Sequence, residues 1–362
     1  MNYQSRREKL RKAQKESGIN ALLVTNFTNV TYLTGFTGDD SYLLLYRGGE
    51  VVLSDPRYTT QLEEECPDLE LHIRKPGVSM LQALVRVLQW AKVGKLGVEA
   101  DSITLGLRDR LAEKLPKLEL TATSGLVETL RRCKDSDEVD RIRQAARQAE
   151  KAFGVLRASL VPDRTEKQLA DDLEYQMRQF GARAASFPTI VAAGPRAALP
   201  HARPTNEPIG GHGFVLVDWG ACEGLYHSDL TRVLVTGKIS AQLERVYRVV
   251  FEAQQRAIRA IRPGVTGHDV DRVARSFIAK SGFGRRFGHG LGHGLGLEVH
   301  EGPRLAAKND IVLQPGMVVT VEPGIYLPGW GGVRIEDDVL VTRKGHEVLT
   351  GAPKQLEEMI VR

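Results

Sequence analysis

Residues 214–235 read FVLVDWGACEGLYHSDLTRVLV, and the fold of the second half of the chain hangs on how they pair. Apolar runs at 214–217 and 230–235 flank a polar turn, the pattern of an antiparallel hairpin. With Glu223-Gly224 as a two-residue turn, residue 222 faces 225, 221 faces 226 and Asp218 faces Asp229. Side chains in that relation stand about 5 Å apart at Cβ, where two carboxylates repel. A bridging cation resolves the conflict.

The stretch VVTVEPGIYLPGWGGVRIEDDVLV (318–341) reads the same way. A three-residue loop, Pro328-Gly329-Trp330, sets 327 opposite 331 and Glu322 opposite Glu336. Solvent-facing acidic ladders would need polar flanks. Val215, Leu216 and Val217, like Val318, Val319 and Val321, instead read as buried on both faces. Acids are seldom buried unless they are paired or bind metal. GHGLGHGLGLEVHEGP (288–303) then adds His289, His293 and His300 within twelve residues. Its glycines fit neither G-x-G-x-x-G nor Walker spacing, so they do not read as a phosphate loop. Four carboxylates and one imidazole suit a dinuclear site for Mn²⁺, Co²⁺, Zn²⁺ or Fe²⁺. No thiolate enters these motifs, which excludes a structural zinc site.

Outward from this core, 362 residues are long enough for two domains. Helices are expected at 1–18, 78–92 and 105–115, and strands at 21–25, 41–46, 50–54 and 95–100. That alternation predicts an α/β domain over 1–130. From Asp135 the pattern changes. Asp135 with Glu138 forms a capping box, followed by the apolar stripe Val139, Ile142, Ala146, Ala149, Phe153 and Leu156. Thr165 with Gln168 forms a second box before Leu169, Leu173, Met177 and Phe180. Further helices are expected at 240–262 and 267–281, and the chain reads as β-like from 290. Residues 131–362 are therefore predicted to be α+β with antiparallel sheet.

Lys and Arg exceed Asp and Glu by 50 to 45, and the excess is dispersed, which is a solvated surface rather than a nucleic-acid footprint. No run approaches the roughly 18 apolar residues of a membrane span, and the charged N-terminal stretch has no signal-peptide core. Cys66, Cys133 and Cys222 are odd in number and far apart, as expected of reduced thiols in the cytoplasm.

These blocks, with SFPTIVAAGPRAALPHARP (186–204), resemble the aminopeptidase P/prolidase family of creatinase-like pita-bread metallopeptidases. NVTYLTGFTGDDSYLLL (29–45) and LSDPRYTTQ (53–61) resemble that family's N-terminal domain. The resemblance implies a creatinase-like domain over 1–130 and a pita-bread catalytic domain over 131–362. It implies metal ligands at Asp218, Asp229, His293, Glu322 and Glu336, with Asp229 and Glu336 bridging two divalent ions, Mn²⁺ first among the candidates. Asp218 would complete one ion, and His293 with Glu322 the other. His201 and His300 match outer histidines that bind substrate, stabilise the tetrahedral intermediate and move protons, with Glu322 as proton shuttle. Phe187 and Arg304 would contact substrate. Arg334 shares a strand face with Glu336, where it would orient the ligands and touch substrate.

The implied reaction is hydrolysis of the Xaa–Pro bond at the N-terminus of short proline-containing peptides, by a hydroxide held between the ions. Arg304, directly after HEGP, matches the arginine with which prolidase-type members meet a dipeptide carboxylate; pairing with a protein acid is the alternative. Aminopeptidase and dipeptidase both stay open at this point. The resemblance further implies a homodimer, with no nucleic-acid or membrane partner. Two other readings remain, a broader aminopeptidase that also removes methionine and a non-catalytic binding module of the same fold. Bound metal and peptide turnover separate them.

Overall fold

The computed structural model describes residues 1–361; Arg362, the last residue of the expected catalytic domain, lies outside them. The chain divides into two compact units, Met1–Arg131 and Arg132–Arg362.

The first unit alternates helix and strand: α1 (Tyr3–Glu16), β1 (Ala21–Val24), α2 (Phe27–Thr34), β2 (Ser41–Tyr46), β3 (Gly49–Ser54), α3 (Thr59–Glu65), β4 (Glu70–Ile73), α4 (Met80–Trp90), β5 (Lys95–Glu99), α5 (Leu105–Lys114), β6 (Glu119–Thr123) and α6 (Leu126–Arg131). One six-stranded sheet runs β4-β3-β2-β1-β5-β6. It is mixed, with β1 antiparallel to β2 and parallel to β5. The apolar run of β1 is buried along its whole length, as a central strand between helical layers requires. Ser79 and Gln82 close a capping box on α4, whose Leu84 and Leu88 pack with Leu23, Leu44, Leu53 and Leu96. This is an α/β unit.

The second unit opens with α7 (Ser136–Ser159) and α8 (Glu166–Gln179). Both start at the expected capping boxes, Asp135 with Glu138 and Thr165 with Gln168. The α7 stripe from Val139 to Leu156 is buried as read. On α8 the stripe stops at Met177. Phe180 sits one residue past the last helical turn, before the left-handed Gly181, and its ring is exposed under the Lys151 ammonium.

The strands that follow are β7 (Ala184–Ala185), β8 (Ile190–Ala193), β9 (Phe214–Trp219), β10 (Ala221–Glu223), β11 (Tyr226–His227) and β12 (Leu230–Val235). After α9 (Ala241–Ala260) and α10 (Gly267–Ile278) come β13 (Gly292–Gly294), β14 (Glu301–Leu305), β15 (Val318–Val321), β16 (Gly324–Leu327), β17 (Gly331–Arg334), β18 (Asp337–Val341) and β19 (His346–Val348). They form the sheets β12-β9-β8, β14-β13-β15-β18-β19, β11-β10-β7 and β16-β17. All pairings between these strands are antiparallel. The unit is α+β. Trp219 shows how the helices seat on the sheet. Its ring stacks on Phe153 of α7 at 4.3 Å, and its indole N–H donates to the Ala149 carbonyl at 3.0 Å.

Candidate active site

The first acidic hairpin pairs two residues away from the expected register. Asp218 faces Thr231, Trp219 faces Leu230, and beyond them Glu223 faces Tyr226. The turn is Gly224-Leu225, both with positive φ, 52° and 72°, as a type I′ turn demands. Asp229 therefore lies diagonal to Asp218 rather than opposite it. A slip of two residues leaves every side chain on its original face, so the acids still converge.

The second hairpin keeps the expected register. Leu327 faces Gly331 and Gly324 faces Arg334 on one side of the gap, and Val321 faces Asp337 on the other. Glu322 and Glu336 occupy the step between. Thr231 joins the two hairpins. It bridges Glu336 in the antiparallel sense, and its hydroxyl donates to Glu336 Oε2 at 2.5 Å while accepting from Arg334 Nε at 3.0 Å.

The imidazole comes from β13. The His293 backbone N–H donates to Thr320 Oγ1, and its Nδ1 lies 3.1 Å from the Gly294 carbonyl. A carbonyl only accepts, so Nδ1 carries the hydrogen and the lone pair stays on Nε2. That Nε2 faces Glu322 at 3.4 Å and Asp229 at 3.8 Å. Burial and the neighbouring His300 bring the His293 pKa down to about 3, so the ring is neutral. Asp229, His293 and Glu336 each bring one ligand atom within 4.8 Å of the others.

The carboxyls crowd one another. Burial pushes the Glu322 pKa up to about 8, with Asp218 adding to the rise against the pull of Arg334. Asp229 and Glu336 are pushed well above the usual range, first by burial and then by their carboxylate neighbours. Arg334 is the buried cation of the group. It donates to Asp218 Oδ2 at 2.6 Å, to the Tyr326 hydroxyl at 2.8 Å and to Thr231. Asp218 Oδ1 is buried with no hydrogen-bond partner. An unpaired carboxylate oxygen, a bare imidazole nitrogen and mutually repelling acids together make a donor set that fits divalent cations.

One cavity of about 700 Å³ is lined by all eleven candidate site residues named from sequence, His289 among them, a size suited to a small ligand. Asp218, Asp229, His293, Glu322 and Glu336 lie at its floor. His300 meets His293 edge to face at 4.4 Å, and the side chains of His201, His300 and Arg304 are exposed at its mouth. Phe187 lines the wall. Arg334 lines it too, although the protein already occupies three of its donors. Sequence reading singled out neither Tyr326 nor Thr231. The signal was available in strand parity, because Thr231 lies two positions from Asp229 and Tyr326 four from Glu322. The Tyr326 hydroxyl also reaches His289 Nε2 at 3.0 Å.

Residues 140–343 match metallopeptidase family M24, and residues 6–133 match the creatinase/prolidase N-terminal domain. The chain is similar to the Xaa-Pro dipeptidase of Pyrococcus horikoshii, 34% identical over 94% of this chain and 95% of that one. Among solved structures it is similar to an Xaa-Pro dipeptidase from Bacillus anthracis, with a TM-score of 0.95, 39% identity and coverage of 98% of this chain and 99% of that one. It is likewise similar to an X-Pro aminopeptidase from Thermotoga maritima, with a TM-score of 0.88, 37% identity and coverage of 95% and 99%. Matches that reach both units, at such identity over nearly the full length, place this chain in metallopeptidase family M24 with a creatinase/prolidase N-terminal domain.

Proposed function

We propose that the protein hydrolyses the Xaa–Pro bond at the N-terminus of short peptides, with dipeptides preferred, using two divalent ions, Mn²⁺ first among them. The observation that carries this reading is the polarity of the cavity: carboxylates at the floor, and Arg304, His201 and His300 at the mouth. An Xaa-Pro dipeptide is a zwitterion, with an amine for the acidic end and a carboxylate for the basic one. Arg304 makes no side-chain hydrogen bond or ion pair among the described residues, so its guanidinium is available to a substrate carboxylate. The relatives carry Xaa-Pro dipeptidase and X-Pro aminopeptidase names, which fits the same bond.

In this reading Asp218, Asp229, His293, Glu322 and Glu336 hold the ions, and four carboxylates balance two dications. When bound, the ions supply an activated water and an electrophile for the scissile carbonyl. Arg334 orients Asp218, and Thr231 orients Glu336, so that their free oxygens face the cavity. His300 donates to the developing oxyanion. The Glu322 carboxyl takes the proton of the attacking water and returns it to the leaving nitrogen. Proline's nitrogen has no hydrogen in the substrate, so selection falls to shape, with Phe187, His201 and His300 as the ring's wall.

The three cysteines form no disulfide among the described residues, and no helix is long and apolar enough to cross a membrane. The reading places the enzyme in the cytoplasm, as a homodimer. The test is kcat/KM of the Mn²⁺-loaded protein on Ala-Pro and on Ala-Pro-Ala, with and without Arg304→Ala. The expected result is preference for Ala-Pro, lost in the variant. Preference for Ala-Pro-Ala would make the protein an aminopeptidase, and the absence of turnover on either would leave a metal-binding module.

A further inference from the structure

His201 reaches the cavity mouth on the loop between β8 and β9, and its ring makes no hydrogen bond among the described residues. A side chain without a partner takes its position from its backbone alone. The backbone on either side of His201 is tied to one carboxylate, Glu166, the first residue of α8. Sequence alone makes Glu166 an ordinary acid in a first helical turn. In the structure it is fully buried, and its oxygens serve the loop. Oε1 accepts from the Ala193 backbone N–H at 2.9 Å, and Oε2 from the Thr205 backbone N–H at 2.9 Å and hydroxyl at 2.8 Å. Arg196 Nε bridges both oxygens at 3.0 and 2.9 Å, and the same guanidinium reaches forward to the Arg203 carbonyl at 2.6 Å.

The underside of the loop is seated as well. Its helical turn at Gly194–Ala198 lies on the bare backbone of β17, where a Cβ on Gly332 would stand 2.1 Å from the Ala197 carbonyl oxygen. The loop is thus held at Ala193, at Thr205 and beneath. Only the segment around His201 and Arg203 projects into the cavity.

We propose that Glu166 is a positioning residue for the reaction, fixing the loop that presents His201 to the substrate. The proposal rests on the reading of His201 as a substrate-facing group. Misplacing a reacting group by about 1 Å can cost as much as a hundredfold, so Glu166→Gln, which loses the charge paired with Arg196, should lower kcat/KM on Ala-Pro by about 10- to 100-fold. The decisive measurement is a double-mutant cycle with His201→Ala in the Mn²⁺-loaded enzyme. If Glu166 acts through His201, Glu166→Gln has little further effect once the histidine is gone. Thr205→Val removes the hydroxyl's bond to Glu166 and the longer one it accepts from the Glu207 backbone N–H at 3.3 Å. It should stay folded and keep the bound Mn²⁺ per chain, while still lowering kcat/KM only when His201 is present; it decides the question if Glu166→Gln does not fold. Multiplying effects of the two substitutions, or full activity in Glu166→Gln and Thr205→Val beside an impaired His201→Ala, would overturn the proposal. Full activity in His201→Ala would instead overturn the reading of His201, and the proposal with it.

Discussion

Hairpin 214–235 turns on Gly224-Leu225, whereas hairpin 318–341 turns on Pro328-Gly329-Trp330. The second loop admits one reading, since proline leaves the ladder and glycine supplies the single left-handed position. The first contains one glycine, which can be either residue of a two-residue turn. Contacts with α7 decide it. Glu223 stays in the strand, held by Arg141 at 3.2 Å and Gln148 at 2.8 Å, and the hydroxyl of its partner Tyr226 donates to Glu138 at 2.9 Å. Tertiary bonding therefore overrode turn chemistry in one hairpin and agreed with it in the other. Both deliver their acids to the same cavity because the slip is an even number of residues.

The largest effects belong to the acids themselves. Asp229→Asn should remove Mn²⁺ binding at low micromolar concentrations and lower kcat/KM by about a thousandfold, several kcal/mol of transition-state stabilisation. The same change relieves repulsion in the metal-free protein, so its urea midpoint without metal should rise above that of the parent. Mn²⁺ should raise the parent's midpoint and leave the variant's nearly unmoved. A variant that lost stability in the absence of metal would show that Asp229 is held by protein contacts rather than by cations.

The next effect concerns the two faces of β18 and the residue before it. Glu336, Asp337 and Asp338 are consecutive acids on alternating faces. Glu336 and Asp338 are pushed upward by burial among acids. Asp337 is also buried, yet Arg232 and Lys354 hold it below the usual carboxylate range. Arg232 and Asp337 form a fully buried pair at 2.8 Å, and the same guanidinium binds the Pro353, Ala352 and Glu336 carbonyls. Arg232→Met should cost about 3–5 kcal/mol of stability, the cost of breaking a buried pair from one side, read as a fall in urea midpoint. The fate of Asp337 is the opposite of its neighbours' for a reason that sequence contains only in part.

Alternation along a strand predicts that residue 337 leaves the cavity face. It does not predict that Arg232 waits on the other side. The site was legible to the same extent. Spacing and strand parity marked the four acids and the histidines of 288–303, because the code for a strand's two faces is local, whereas Phe187, His201 and Arg304 were named from the family resemblance. Phe180 misled, and the role of Glu166 went unread, for the converse reason. The role of Glu166 depends on a loop nearly thirty residues away, and the exposure of Phe180 depends on where α8 stops. In the first unit the four central strands β1, β2, β3 and β5 and the helices α1, α4 and α5 were legible, since those strands are largely apolar and α4 carries a full capping box, whereas the edge strands β4 and β6 and the short helices α2, α3 and α6 went unread.

A smaller effect tests the link between the hairpins. Thr231→Val keeps the shape but deprives Arg334 Nε and Glu336 Oε2 of their shared partner. Leaving buried groups unsatisfied costs about 1–3 kcal/mol. The expected outcome is about a tenfold loss of kcat/KM with Mn²⁺ still bound, in the range seen when the support of a metal ligand is removed. Unchanged activity would mean that the second hairpin aims Glu336 without help from the first.

The smallest effects lie at the turns, and they should have opposite signs. Leu225 holds a left-handed φ of 72° that a branched side chain adopts at a cost of about 1 kcal/mol or more. Leu225→Gly removes that strain, gives back part of it in chain entropy and in partly buried side-chain area, and should raise stability by about 0.5 kcal/mol. Gly329 has a φ of 82° and nothing within 4 Å of where a Cβ would stand. Gly329→Ala therefore meets only the backbone penalty and should lower stability by about 1 kcal/mol. Chemical denaturation of the two metal-free variants beside the parent gives both signs. Opposite signs would mean that the first turn is imposed from outside by α7 and the second is chosen by its own residues. If Leu225→Gly instead lowered stability as much as Gly329→Ala, the Leu225 side chain would be supporting its turn, and the register of the acidic hairpin would be set locally after all.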